Sequence, residues 1–140
     1  MSDLERLYQE RIRQHAGAPC GYRQEIAPTH RHEEYNPLCG DRIDVLLRIE
    51  HGTIEAAAFD GEACTICMAS ASMLCAAAAG QPVHQLLGLS ARLEEALEPG
   101  SDRDPPGELA ALGGVRQFPS RVRCATLPWN AARKACTNQP

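Results

Sequence analysis

Arg42-Ile43-Asp44-Val45-Leu46-Leu47-Arg48-Ile49-Glu50-His51-Gly52-Thr53-Ile54-Glu55-Ala56-Ala57-Ala58-Phe59-Asp60 is the stretch that decides the fold. Ile43, Val45, Leu47 and Ile49 alternate with Arg42, Asp44, Arg48 and Glu50, and only Leu46 interrupts the polar row. A period of two with one apolar row predicts a half-buried strand. His51-Gly52 then supplies a two-residue turn, with Gly giving the positive φ, and residues 53–60 read as the partner strand of a hairpin. Outward from this hairpin the pattern turns helical. Thr65 caps a helix over residues 66–79, with Gly80 as its stop. Gln81-Pro82 opens a second short helix, and Ser90 caps a third that carries Leu93, Ala96 and Leu97. Residues 99–107 (PGSDRDPPG) form a polar loop, and Glu108 to Leu112 a single helical turn. A last helix starts at Pro119 or Ser120, with Val122, Ala125, Trp129, Ala132 and Cys136 as its apolar stripe. On the N-terminal side, Ser2 and Glu5 make a capping box for a helix whose face holds Leu4, Leu7, Tyr8 and Ile12. Residues 15–21 (HAGAPCG) break that helix. Residues 22–38 read as irregular, with one short strand near 24–28.

The chain has 140 residues, 44% of them hydrophobic and 23% charged, the size and make-up of one globular domain. A net charge of -4 argues against a binder of nucleic-acid backbones. No apolar run approaches a membrane span, and MSDLERLYQERIRQH lacks the apolar region of a signal peptide, so a cytoplasmic location is expected.

Seven cysteines stand at 20, 39, 64, 67, 75, 124 and 136. An odd count in such a chain does not describe a disulfide framework, so the thiols read as core residues, metal ligands or reactive groups. Cys75 and Cys136 fall on apolar helix faces and read as small buried hydrophobes. Cys124 lies two positions from Val122, about 200° around the helix, and so points away from the stripe. Cys39 and Asp41 flank Gly40 at one end of the first strand, and Cys64 follows the far end of the second. Pairing across the His51-Gly52 turn brings these three groups together, and Cys124 can add a fourth. Three thiolates and a carboxylate suit tetrahedral zinc or iron. Two other sets stay open. Cys64-Thr65-Ile66-Cys67 is a C-x-x-C without the second pair of a zinc ribbon or the βαβ setting of a thioredoxin. His30-Arg31-His32 reads as solvated loop, because Glu33 and Glu34 follow it.

NPLCGDRIDVLLRI (36–49), GEACTICMASASML (61–74) and FPSRVRCATLPW (118–129), in that order, resemble the U-type iron–sulfur cluster assembly proteins, the group of IscU, SufU and the NifU N-terminal domain. The likeness runs from about Leu4 to Lys134. It implies one domain over residues 1–140, of α+β class: a small antiparallel sheet of about three strands covered by helices on one face. It assigns the metal site to Cys39, Asp41, Cys64 and Cys124. QFPSRVRC (117–124) stands where IscU-like chains carry LPPVK, and Arg123 stands where they have His. Hsp70-type chaperone docking is therefore not expected, and residues 98–114 match the insertion of SufU-like chains. Cys67 occupies a position where SufU-like sequences usually have Ser, and Cys20 departs from the family's pattern in its own segment.

The SufU-like branch implies zinc at the site, with iron or an iron–sulfur cluster as the alternative. It implies a sulfur-accepting scaffold more than a turnover enzyme. Its partners are a SufS-type cysteine desulfurase and, downstream, SUF assembly or apo iron–sulfur proteins, with no nucleic acid or membrane. Cys39 is the expected persulfide acceptor, Asp41 the exchangeable ligand, and Arg121 and Arg123 the charge support. The competing readings are a structural zinc module for docking, and a thiol oxidoreductase using Cys64 and Cys67.

Overall fold

The computed structural model describes residues 2–137. Ser2 caps α1 (Asp3–Gly17), its hydroxyl accepting from the Glu5 amide at 3.1 Å, as the capping box requires. β2 (Asp41–Glu50) and β3 (Thr53–Glu62) form the expected hairpin, with Val45 opposite Phe59 and Leu47 opposite Ala57. Both turn residues are left-handed, His51 at φ +52° and Gly52 at +75°. That is the backbone of a type I′ turn, whose twist matches the strands it joins.

β1 (His30–Asn36) pairs antiparallel with the other edge of β2, giving the order β1-β2-β3. The early strand thus lies at 30–36, not 24–28, and it contains the His30-Arg31-His32 segment expected to be loop. His30, His32 and Glu34 share the face of Leu47, Val45 and Ile43, whereas Arg31, Glu33 and Tyr35 face outward. Both rows of β1 are polar, so the strand has no hydrophobic contrast to announce it; backbone pairing with β2 makes it. Its inward Glu34 accepts from Lys134 Nζ of α4 at 2.5 Å and lies 2.8 Å from His32 Nε2.

α2 (Thr65–Ala78) packs on β3, and α4 (Pro119–Thr137) lies across β1 and β2. α1 rests on α2, and α3 (Val83–Ala96) rests on α4. Cys64, not Thr65, is the N-cap of α2. The two helices expected after Gly80 are one: Ser90 is a buried interior residue of α3 and caps nothing. The single turn expected after residue 107 is a 3₁₀ helix, Gly107–Gln117, that buries Leu109, Leu112 and Val115. The outer edge of β3 is covered by residues 21–23. The Arg23 amide donates to the Phe59 carbonyl at 2.7 Å, and the Phe59 amide to the Gly21 carbonyl at 3.0 Å. That pairing covers the edge of β3 at Phe59.

α2 and α4 are locked by a buried polar link. The fully buried Ser70 hydroxyl donates to the Ala125 carbonyl at 2.5 Å and accepts from Trp129 Nε1 at 3.0 Å. Pro128 sits inside α4 and has no N–H to give the carbonyl of Cys124, four residues back. Replacing Ser70 with Ala leaves the indole N–H buried without an acceptor. We expect Ser70→Ala to lower the unfolding free energy by about 1–3 kcal/mol, read as a fall in urea midpoint at unchanged m-value; an unchanged midpoint would show that the link carries no stability.

Candidate metal centre

Residues 37–40 connect β1 to β2. Their turn is built on Asn36, which is buried. The Asn36 carbonyl accepts from the amides of Cys39 (3.2 Å) and Gly40 (2.8 Å), and its Oδ1 accepts from the Leu38 amide (3.3 Å). Gly40 closes the turn at φ +72°. Cys39 is thus presented at an exposed hairpin end, and Asp41, the first residue of β2, is 3% exposed. Beside it, near the end of β3, Gly61 has φ +150°, and a Cβ there would lie 2.0 Å from the Arg42 carbonyl oxygen. Only glycine lets β3 pass β2 this closely before the chain turns into Cys64.

The donor atoms of Cys39, Asp41 and Cys124 lie within 4.8 Å of one another, and the Cys39 and Cys124 sulfurs are 4.0 Å apart. Two thiolates on a tetrahedral ion with metal–sulfur bonds of about 2.3 Å have sulfurs about 3.8 Å apart. Asp41 Oδ1 accepts from the Cys64 amide at 2.9 Å, but Oδ2 is buried with no hydrogen-bond partner. An orphaned carboxylate oxygen beside two thiols is a poor arrangement for a closed apolar pocket and a good one for a cation. Burial pushes the Cys124 thiol up from its ordinary range, and the neighbouring Cys64 and Asp41 push the same way. A positive ion would reverse that direction. The residues present fit a thiophilic divalent metal.

Cys64 stands beside this group, half-buried, and is not one of the three converging donors. It lines a cavity of about 890 Å³ together with Tyr8, Ile12, Ile66, Val115, Phe118 and Arg121. Cys67 is fully buried one turn further along α2, and burial pushes its thiol up. Arg121 and Arg123 are both exposed near the start of α4. Cys20 is remote: its amide donates to Ser72 Oγ at 2.8 Å, eight residues along the chain from Cys64. Cys75 is buried in the core and Cys136 half-buried against it, as their helix positions predicted.

One expectation is corrected. Cys124 does not point away from the packed side of α4; it is 0% exposed. The reason is that α4 is covered by the sheet, α2, α3 and the 3₁₀ helix together, so its buried arc far exceeds one stripe. Asn36 and Gly61 were missed as positioning residues. Their signals were an Asn-Pro turn and a glycine within a strand.

The chain matches the NifU-like N-terminal domain over residues 7–138. It is 38% identical over 107 residues to the zinc-dependent sulfurtransferase SufU of Bacillus subtilis, covering 74% of this chain and 72% of that protein. It is 33% identical over 139 residues to the iron–sulfur cluster assembly scaffold protein IscU of Streptococcus pyogenes serotype M1, covering 96% and 86%. The crystal structure of the N-terminal part of a nitrogen-fixing NifU-like protein from Brucella abortus superposes with a TM-score of 0.84 at 22% identity, over 97% of this chain and 96% of that one. The three-stranded antiparallel sheet with its helices is therefore the NifU-like fold.

The unpartnered Oδ2 makes a prediction with a change of sign. Asp41→Asn keeps an acceptor for the Cys64 amide and removes the buried charge. With chelator present, its melting temperature should equal or exceed that of the wild type; with a divalent thiophilic metal added, its gain should be smaller. An equal metal-induced gain in both proteins would remove Asp41 from the centre.

Proposed function

Since the chain belongs to the family of NifU-like N-terminal domains, we propose that it is a SUF-type sulfur acceptor and assembly scaffold. In this reading it takes persulfide sulfur from a SufS-type cysteine desulfurase and passes on sulfur or a nascent cluster. The observation that carries the reading is the convergence of Cys39, Asp41 and Cys124 around the orphaned Asp41 oxygen. The 38% identity to a zinc-dependent sulfurtransferase supports zinc as the resident ion. Cys39, Asp41, Cys64 and Cys124 are its proposed ligands, with iron or an iron–sulfur cluster as the other candidate for the same donors. The whole chain is read as one U-type domain, with residues 98–114 as a SufU-like insertion; they include most of the 3₁₀ helix.

Bound zinc would keep the thiols deprotonated at neutral pH. The chain's own residues do the rest. Cys39 is the exposed thiol of the set and sits on a turn fixed by Asn36. Its sulfur attacks the outer sulfur of the desulfurase persulfide; the sulfur–sulfur bond of the donor breaks, and the donor cysteine leaves as thiolate. Asp41 is the hardest donor of the set and the easiest to exchange. Arg121 and Arg123, exposed near Cys124, offset the negative charge that three thiolates and a carboxylate bring. No described helix is long and apolar enough to cross a membrane. The proposed partners are the desulfurase and downstream apo iron–sulfur proteins or SUF components, without an Hsp70-type chaperone.

Two measurements test the reading. Zinc content should be one ion per chain, should fall sharply in Cys39→Ser, Cys64→Ser and Cys124→Ser, and should persist in Cys136→Ser. Full zinc in both Cys64→Ser and Cys124→Ser would defeat the ligand assignment. Alanine release by a SufS-type desulfurase should accelerate when the protein is added, and Cys39→Ala should abolish that effect. An undiminished acceleration with Cys39→Ala would move the acceptor role to another thiol.

A further inference from the structure

α2 begins with two thiols one helical turn apart. Cys64 is its N-cap and Cys67 follows three residues later. At that spacing in a helix the two Cα atoms are about 5 Å apart, inside the range of roughly 4.4–6.8 Å that a disulfide spans. The two thiols differ in access. Cys64 is half-buried and lines the 890 Å³ cavity, whereas Cys67 is 0% exposed. Cys64 is also the proposed ligand left out of the tight group of Cys39, Asp41 and Cys124, and its departure would leave those three donors to hold the ion. The sulfur relay described above has no use for Cys67.

Resting on that relay reading, we propose that Cys64 and Cys67 form a resolving dithiol that turns relayed sulfane sulfur into hydrosulfide. A persulfide carries its outer sulfur at the sulfane level, and a cluster needs sulfide, so two electrons must be supplied. The pair supplies them in two exchanges. First, the Cys64 thiolate attacks the outer sulfur of the Cys39 persulfide; the Cys39 sulfur–sulfur bond breaks, and Cys39 leaves as thiolate. Second, the Cys67 sulfur attacks Sγ of the Cys64 persulfide. The bond from that Sγ to the outer sulfur breaks, and the outer sulfur leaves as hydrosulfide with the proton of Cys67. The dithiol is oxidised to a Cys64–Cys67 disulfide, and the sulfane sulfur is reduced. An external dithiol reductant restores both thiols by exchange.

Placement favours this order. The buried position of Cys67 keeps outside sulfur donors and oxidants from reaching it before Cys64. The two Sγ atoms of Cys39 and Cys124 are also within 4.0 Å, so the competing product is a Cys39–Cys124 disulfide.

The experiment uses the metal-loaded full chain, free of reductant, with a SufS-type desulfurase and one equivalent of L-cysteine. Sulfide, alanine, intact mass and alkylatable thiols are followed together. Wild type should release close to one hydrosulfide per chain and lose two thiols, mapped to Cys64 and Cys67. Cys67→Ser should take up the same sulfur and stimulate alanine release equally, but keep the sulfur as a persulfide and release about tenfold less sulfide. Equal sulfide from Cys67→Ser, or lost thiols mapped to Cys39 and Cys124, overturns the resolving pair and leaves the relay standing. If neither chain takes up sulfur, the relay reading fails and the pair's role fails with it. Equilibration of the wild type in dithiothreitol redox buffers reads the pair without a desulfurase. A disulfide mapped to Cys64 and Cys67 is expected, and its absence at the oxidising end overturns the proposal.

Discussion

The hydrogen bond from the Cys64 amide to Asp41 Oδ1 joins the first residue of β2 to the first turn of α2. An amide at a helix start has no partner within the helix, so a carboxylate there meets both an unsatisfied donor and the positive helix end. The bond fixes where Asp41 points. Its second oxygen is then held in a closed space beside the sulfurs of Cys39 and Cys124, without a donor. The local stability of the hairpin ends and the appetite of the centre for a cation therefore have one origin. A water-exposed Asp at the same place would bind α2 equally well and leave no deficit for a metal to fill.

This constraint works only because the sheet and the helices leave little freedom around it. Gly61 brings β3 against the Arg42 carbonyl, so the hairpin ends cannot drift apart. Ser70 holds α2 to α4 through the Ala125 carbonyl and Trp129, which sets Cys124 opposite the hairpin. The turn that carries Cys39 projects beyond the sheet, with Leu38 at 87% exposed. One thiol is on a projecting turn and the other is buried in a helix–sheet sandwich.

The hairpin and most of the donor set were legible in the sequence because their signals are local. The alternation of Ile43, Val45 and Leu47 specifies the strand, and His51-Gly52 specifies the turn. Once those two ends are adjacent, Cys39, Asp41 and Cys64 must be near one another. What escaped were features decided by tertiary packing. β1 has polar residues on both faces, and its inward Glu34 is satisfied by Lys134, a hundred residues away. The exposure of Cys124 was misjudged because one stripe was counted, while α4 is enclosed by the sheet, α2, α3 and the 3₁₀ helix. Ser90 carries a capping residue's chemistry but lies within a helix already propagating from Pro82. The separation of Cys64 from the tighter trio is a matter of ångströms that spacing in the chain does not encode.

Pro128 gives α4 an unusual mechanical character. Its missing N–H cuts the hydrogen-bond ladder at the carbonyl of Cys124. The Ser70 hydroxyl bonds the Ala125 carbonyl before the break and the Trp129 indole after it. The link that ties α4 to α2 therefore also splints the rung that Pro128 removes.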